Sequence, residues 1–167
     1  MKNKIARPKV AIVMGSQSDY SIMKLCEKVL KILKIKYETK IVSAHRTPAR
    51  LYKFAKTAEK NNISIIIAGA GGSAHLPGMI AAITSIPVIG VPIESQKLKG
   101  LDSLLSIVQM PKGIPVGTVA IGKDGAINAA LFSASIISIK DSKVKKNLEN
   151  WRTKQTNSVK KKTQING

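Results

Sequence analysis

The sequence is poor in cysteine, histidine and aromatic side chains: its 167 residues include one Cys, two His and an aromatic share of 4%. Because Cys26 has no partner cysteine, an internal disulfide is excluded, and a reducing compartment is expected. The histidines and the cysteine show neither an HExxH nor a CxxC spacing, so we expect no metal. Helical spacing places Cys26 on an apolar helix face, where we expect a packed thiol rather than a nucleophile.

Long apolar runs are also missing. No run approaches the roughly 20 residues that a membrane-spanning helix needs, and no apolar block of the signal-peptide type follows the first nine residues. We therefore expect a cytoplasmic protein with no membrane partner. The length of 167 residues suggests a single domain.

Acidic residues are scarce, with nine Asp and Glu against 28 Lys and Arg, which gives a net charge of +19. Such a charge attracts polyanions, so a nucleotide-binding or nucleic-acid-binding module is an alternative. The charge is spread along the chain, and only four of the basic residues are Arg. Base reading and stacking favour Arg and aromatic side chains. We therefore expect no specific nucleic-acid partner and keep this alternative as a distant one.

What the sequence does contain is a regular alternation of strand and helix patterns. Short apolar runs predict strands over 10–14, 37–42, 63–68, 87–91 and 118–121. Apolar residues at helical spacing predict helices over 22–33, 48–61, 79–83, 101–109 and 126–139. Continuous apolar strands that alternate with helices indicate right-handed crossovers and a buried parallel sheet. The fold class is therefore α/β, with about five strands and helices on both faces.

The chain divides into three segments on this pattern. Residues 1–9 form an N-terminal extension, 10–140 the α/β domain, and 141–167 a C-terminal helix with a Lys-rich tail. A short helix is expected over 144–151, and Trp151 is a candidate contact with a neighbouring subunit. The polar, Lys-rich stretch from Thr153 to Gly167 is expected to be disordered.

The loop Gly15–Asp19 follows the first strand and combines two hydroxyls with a carboxylate. These residue types are ordinary helix caps, but with free helix amides they also suit a phosphate and a ribose hydroxyl. The loop lacks the Gly-Lys-Ser/Thr ending of a Walker loop and the three glycines of a dinucleotide fingerprint. A nucleoside triphosphate or a dinucleotide is therefore disfavoured.

The stretch Ser43–Pro48 stands where the second strand passes into a helix. Pro48 suits the first helical position, and Thr47 is the candidate cap. Arg46 suits recognition of phosphate, and histidine, the residue type at position 45, is the side chain that ordinarily both donates and accepts a proton near neutral pH. Neither side chain contributes to a core at this place, which favours a role in a site.

The glycine-rich stretch Gly69–Gly78 follows the third strand. It is either a tight turn or a cleared space in which a flat ring or a very small molecule meets backbone amides. His75 is correspondingly either a helix-start histidine or a residue of that pocket.

Taken together, four motifs resemble the N5-carboxyaminoimidazole ribonucleotide mutases of purine biosynthesis. They lie at 15–19, 43–48, 68–79 and 100–111, and the resemblance covers residues 10–139. It implies a flavodoxin-like three-layer α/β/α sandwich and a homo-octamer. It also implies conversion of N5-carboxyaminoimidazole ribonucleotide to 4-carboxy-5-aminoimidazole ribonucleotide without a cofactor or metal.

The resemblance further assigns roles to single residues. His45 would be the acid-base residue, with Asp19 on the ribose hydroxyls and Arg46 on the phosphate. The residues implied to bind substrate are Ser16, Ser18, Asp19, Ser43, Arg46, Ala70, Gly71, Gly72, Ser73, His75 and Leu76. Ser73 and Gly117 stand where the family usually has Ala, which affects the fine geometry of the pocket more than the activity. A related carboxylase that takes free carbon dioxide and aminoimidazole ribonucleotide is the nearer alternative.

Overall fold

The computed structural model describes residues 9–160, which form a parallel sheet of five strands with helices on both faces. The strands are β1 Lys9–Met14, β2 Lys36–Ile41, β3 Ile63–Gly71, β4 Val88–Ile93 and β5 Gly117–Thr118. The helices are α1 Tyr20–Ile32, α2 Pro48–Thr57, α3 Leu76–Ala81, α4 Leu101–Val108, α5 Gly122–Ser138 and α6 Ser142–Ser158. The strand order is β2-β1-β3-β4-β5, and every pairing is parallel.

Two apolar cores lie on opposite faces of this sheet. Alternate residues of β1 point to opposite faces, so Ile12 joins the core with α1, α5 and α6, while Val13 joins the core with α2, α3 and α4. The central strands are apolar at nearly every position because both of their faces are covered. The predicted three-layer α/β/α sandwich is confirmed.

Cys26 lies fully buried on α1, as predicted. Its thiol donates to the carbonyl oxygen of Ala126 in α5, with a sulfur to oxygen distance of 3.1 Å. Burial raises the pKa of the Cys26 thiol to about 12. The group is therefore a packing element between two helices and no nucleophile at neutral pH.

Several element boundaries differ from the sequence prediction. Helix α3 begins at Leu76 rather than Met79, because Leu76 and Pro77 are buried and Pro is tolerated in a first turn. Helix α5 begins at Gly122 rather than Ala126, and β5 has only two residues. None of these shifts alters the order of the elements.

The C-terminal segment departs most from expectation. Helix α6 continues to Ser158, so the prediction of disorder from Thr153 is wrong as far as that residue. The carboxylate of Asp141 caps the helix by accepting from the amides of Lys143 and Val144. Trp151 packs against the core of its own chain. Residues 161–167 of the tail and 1–8 of the N-terminal extension lie outside the described residues.

No helix within residues 9–160 has both the length and the apolar composition needed to cross a lipid bilayer.

Candidate active site

A cleft of about 540 Å³ opens at the carboxyl edge of the sheet, where the loops after β1, β2, β3 and β4 converge. This edge is the usual ligand position in an open α/β sheet. Every residue that the sequence analysis assigned to the site lines the cleft: Ser16, Ser18, Asp19, Ser43, His45, Arg46, Ala70, Gly71, Gly72, Ser73, His75 and Leu76. Three loops that are separate in the sequence therefore form one surface.

The two histidines of the chain contact each other in this cleft. The distance from His45 Nε2 to His75 Nδ1 is 2.9 Å, and the rings are nearly perpendicular, at 89°. Because a hydrogen bond needs one donor and one acceptor, one of these nitrogens carries a proton and the other accepts it. Both side chains are exposed to the cleft. The pair therefore holds a proton where a ligand can reach it.

The carboxylate of Asp19 accepts hydrogen bonds from its own loop, which follows β1. The amide of Ser16 donates to Asp19 Oδ2 at 3.1 Å, and the hydroxyl of Ser18 donates to Oδ1 at 3.4 Å. Partial burial raises the pKa of the Asp19 carboxyl, while these hydrogen bonds and the nearby Arg46 act in the opposite direction. Asp19 thus both accepts the local hydrogen bond from the Ser16 amide and lines the cleft.

Arg46 connects the loop after β2 to the loop after β1. Its Nη2 donates to the carbonyl oxygen of Gly15 at 3.2 Å, and its amide donates to the hydroxyl of Ser43 at 3.2 Å. Arg46 and Arg50 also line a smaller adjoining cleft of about 310 Å³. A guanidinium has five N–H donors, so Arg46 retains donors for an anion at this edge.

Thr47 occupies the N-cap position of α2, as predicted, but its side chain makes no capping hydrogen bond. Its hydroxyl accepts from the amide of Ser43 and donates to the carbonyl oxygen of Ser43, both at 3.0 Å. The hydroxyl is therefore engaged in closing the loop that presents His45 and Arg46. Pro48 does occupy the first helical position, as predicted.

The model of the family described as AIR carboxylase matches residues 9–158. The chain belongs to this family. An Escherichia coli K12 protein named N5-carboxyaminoimidazole ribonucleotide mutase is 56% identical over 151 residues, which are 90% of this chain and 89% of that protein.

Two further relatives of this AIR carboxylase family member differ in length or in sequence. A Dictyostelium discoideum protein named bifunctional purine synthesis protein purC/E is 58% identical over 153 residues, which are 92% of this chain but only 15% of that protein. A crystal structure of Treponema denticola PurE has a TM-score of 0.82 and 29% identity, and the match covers 90% of this chain and 93% of that one.

The cleft has a fourth wall that the sequence analysis did not find. It consists of the end of β4 and the residues that follow it: Ile93, Glu94, Ser95 and Gln96. These residues contain no histidine, arginine or glycine cluster, so no motif marked them. The rule that selected the other loops, namely that ligands bind after parallel strands, applies equally to β4 and would have found them.

Ser73 and Gly117, the two positions at which the resemblance leads one to expect Ala, lie in different parts of the structure. Ser73 is exposed in the cleft, whereas Gly117 lies in β5, away from it.

Within residues 9–160, no group of three or more His, Cys, Asp or Glu side chains is placed to hold a metal ion. The chemically active groups of the cleft are thus an imidazole pair, a carboxylate, a guanidinium, hydroxyls and backbone amides.

Proposed function

We propose that this protein is an N5-carboxyaminoimidazole ribonucleotide mutase, which forms 4-carboxy-5-aminoimidazole ribonucleotide in purine biosynthesis. The observation that carries the proposal is the hydrogen bond between His45 and His75, 30 residues apart, in a cleft that also contains Arg46 and Asp19. The name of the Escherichia coli relative supports the same activity for this chain.

The reaction needs proton transfer at two atoms of the substrate. Protonation of the carbamate nitrogen breaks its bond to the carboxyl carbon and releases carbon dioxide. C4 of the resulting aminoimidazole ribonucleotide then attacks carbon dioxide to form a carbon-carbon bond, and the C4 proton leaves to restore the aromatic ring. A single side chain that both donates and accepts a proton serves both ends, and we assign that role to His45.

His75 completes the acid-base unit in this proposal. Its Nδ1 lies 2.9 Å from His45 Nε2, so the two rings share one hydrogen bond and a proton can pass between them. The segment Ala70–Leu76 surrounds the imidazole ring and the migrating carboxyl group. A site that shields carbon dioxide from escape raises its effective concentration at C4.

The nucleotide part of the substrate is held away from the reacting atoms. Arg46 and Ser43 bind the phosphate together with Ser16 and Ser18, and Asp19 binds the ribose hydroxyls. These contacts supply binding energy that keeps the ring in place during both half-reactions. No cofactor or metal takes part.

The protein acts as a cytoplasmic homo-octamer in this proposal, with residues 10–140 as the catalytic domain. Support for assembly comes from helix α4, on which Leu101, Leu105 and Val108 are 51%, 49% and 48% exposed. Together with Leu98, also exposed, they form an apolar surface beside the cleft. Exposed apolar patches of this kind mark contacts between subunits.

The decisive experiment compares His45→Asn with Arg46→Ala in the conversion assay. His45→Asn should lower turnover by about 100-fold or more, because it removes the acid-base group, and should still bind the nucleotide product. Arg46→Ala should chiefly weaken binding, by about tenfold, since it removes a charged hydrogen bond. Turnover is measured by product absorbance and affinity by titration calorimetry. A fully active His45→Asn enzyme would refute the assignment.

The carboxylase alternative predicts a different source of the carboxyl carbon. With labelled bicarbonate present, a mutase retains the carboxyl carbon of its own substrate, whereas a carboxylase incorporates the label when it is given aminoimidazole ribonucleotide. The relatives named as mutases favour the first outcome. A nucleic-acid module would instead show salt-sensitive binding to DNA or RNA that survives loss of His45.

A further inference from the structure

Ser103, in the first turn of α4, is a fully buried side chain behind the cleft. Its hydroxyl oxygen accepts a hydrogen bond from the amide of Gly72 at 2.9 Å and donates to the carbonyl oxygen of Ile93 at 2.6 Å. Gly72 follows β3, and Ile93 is the last residue of β4. One hydroxyl therefore joins two loops that form separate walls of the cleft.

The position of this hydroxyl relates to the hydrogen-bond ladder of the sheet. Strands β3 and β4 pair in register up to Gly71 opposite Ile93. In a parallel pair, evenly spaced N–H to C=O bonds hold the strands together. At the next position the hydroxyl of Ser103 lies between an amide and a carbonyl and bonds to both. The hydroxyl takes the place of a direct backbone hydrogen bond between Gly72 and Ile93. It thereby fixes the distance between the segments that leave β3 and β4.

Ser103 differs in this respect from the serines of α5. A serine inside a helix commonly donates to the carbonyl one turn earlier, as Ser133 and Ser135 do. The hydroxyl of Ser106, further along α4, also donates locally to the Asp102 carbonyl oxygen at 2.7 Å and lies 3.4 Å from the Gly72 carbonyl oxygen. The hydroxyl of Ser103 instead leaves its own helix for two other elements. A purely local role in helix α4 does not account for this geometry.

The start of α4 is also tied to the β4 loop from a second side. Asp102 Oδ1 accepts from the hydroxyl of Ser95 at 2.8 Å and from the amide of Ser103 at 2.9 Å. Ser95 lines the cleft. The first turn of α4 thus holds the β3 loop through Ser103 and the β4 loop through both Ser103 and Asp102.

We propose that Ser103 is a positioning residue for the carboxyl transfer, which holds the glycine loop and the β4 loop in the geometry that places ring and carbon dioxide against His45. The proposal rests on the proposed function, because it concerns the same reaction. Gly72 lies three residues before His75, so the bond to its amide also fixes the segment that carries the partner of His45. Arg46 and Asp19, which hold the nucleotide, make no hydrogen bond to Ser103.

This separation predicts an effect on turnover more than on binding. Ser103→Ala removes the shared oxygen, which leaves an amide and a carbonyl without their partner and frees the two loops to shift. A displacement of about 1 Å far from the chemistry can cost about 100-fold in rate, so we expect kcat to fall by about 10- to 100-fold. Affinity for the product, 4-carboxy-5-aminoimidazole ribonucleotide, should change much less, because the phosphate and ribose contacts remain.

The matched control is Ser133→Ala. Ser133 is equally buried in a helix, but its hydroxyl donates to Ala129 within α5, remote from the cleft. This variant loses the same atom and should keep the wild-type kcat. Asp102→Ala, at a half-buried position, should lower kcat in the same direction as Ser103→Ala, and it decides the comparison if Ser103→Ala does not fold.

Conversion kinetics, product calorimetry and thermal unfolding are measured for all four proteins. A fall in kcat with retained product affinity in Ser103→Ala, absent in Ser133→Ala, supports the role. Equal turnover in the two serine variants, or parallel losses of turnover and affinity, would overturn it. A folded wild-type protein that binds the product but converts no substrate would instead refute the proposed function, so the two failures are distinguishable.

Discussion

Asp19 is the acidic side chain of the cleft whose ionisation the fold opposes. Partial burial raises the pKa of its carboxyl, and the hydrogen bonds from Ser16 and Ser18 offset only part of that effect. The native state therefore binds a proton more tightly at Asp19 than the unfolded state does. Asp19 therefore contributes to the free energy of unfolding at low pH. This contribution declines as the pH rises from 3.8, the pKa of the carboxyl in the unfolded chain, through the higher pKa of the native state. The ionised form of this carboxyl is therefore less stable in the native state than in the unfolded chain.

Replacement of Asp19 by Asn should remove the loss of stability that ionisation of the carboxyl causes, and it tests the proposed contact with the ribose. Asp19→Asn removes the charge but keeps an oxygen acceptor, so the variant should unfold at a higher temperature than wild type above the native pKa. Going down from pH 7 to pH 4, this difference should shrink. Product affinity should fall by about tenfold, because the proposed charged hydrogen bond to the ribose is lost.

Thermal unfolding across that pH range and calorimetry with the product test both parts of the Asp19 prediction. Glu149→Gln is the matched control, since it removes a negative charge from an exposed position on α6. The pH-dependent difference should be absent in the control. A lower unfolding temperature for Asp19→Asn at pH 7 would contradict the account given for its carboxyl.

At the scale of elements, the start of α5 depends on close approach between backbones. A Cβ atom at Gly125 would lie 1.7 Å from the carbonyl oxygen of Ala120 and 2.7 Å from its carbonyl carbon. Because backbone atoms cannot rotate away as a side chain does, only a glycine fits without a shift of the turn that enters the helix. No local pattern signals this contact, and the spacing of apolar residues alone predicts a start of α5 at Ala126.

Gly125→Ala should lower the free energy of unfolding by about 1–3 kcal/mol, the usual cost of overpacking. Gly117→Ala is the matched control, because a Cβ there meets Phe132 Cε1 at 3.4 Å and the Val88 carbonyl oxygen at 3.7 Å, which is near ordinary contact. That variant should stay within about 0.5 kcal/mol of wild type. Urea denaturation measures both, and equal stabilities would refute the close-packing argument.

At the scale of the whole molecule, α6 covers α5 and at the same time leaves apolar surface free. Val144 and Leu148 are buried against the core, and the side-chain amide of Asn147 donates to the Leu33 carbonyl oxygen at 2.9 Å. A groove of about 650 Å³ between α5 and α6 is lined by Phe132 and Trp151, among others. The helix is thus part of the fold, and the groove beside it is a second candidate contact between subunits.

Removal of α6 should therefore disturb both stability and assembly. A chain ending at Lys140 loses Val144 and Leu148 and uncovers the outer face of α5, so we expect a lower unfolding temperature and loss of the proposed octamer. A chain ending at Ser158 retains the whole helix and serves as the control, which should assemble like wild type. Light scattering gives the mass of each. An unchanged octamer in the shorter chain would show that α6 has no part in assembly.

The local chemistry of the chain was readable from its sequence. Continuous apolar strands such as Val10–Met14 can only be buried on both faces, and their alternation with helices specifies a parallel sheet. Parallel topology brings strand ends to one edge, so the convergence of the loops at Asp19, Arg46 and His75 was predictable before any coordinates. The boundaries of α3, α5 and α6 were not, because tertiary packing overrides weak local preferences at helix ends.

Other features depend on distance in space between residues far apart in the chain, and only the tertiary structure decided them. The 2.9 Å contact between His45 and His75 follows from the meeting of two loops, since no local pattern sets the separation of two rings. The bridge from Ser103 to Gly72 and Ile93 likewise depends on how α4 packs behind β3 and β4. The sequence by itself thus indicated which groups of the loops after β1, β2 and β3 reach the cleft, because residue type and the alternation of strands with helices can be read along the chain. The fold decided which groups contact each other, because hydrogen bonds require positions accurate to a few tenths of an ångström.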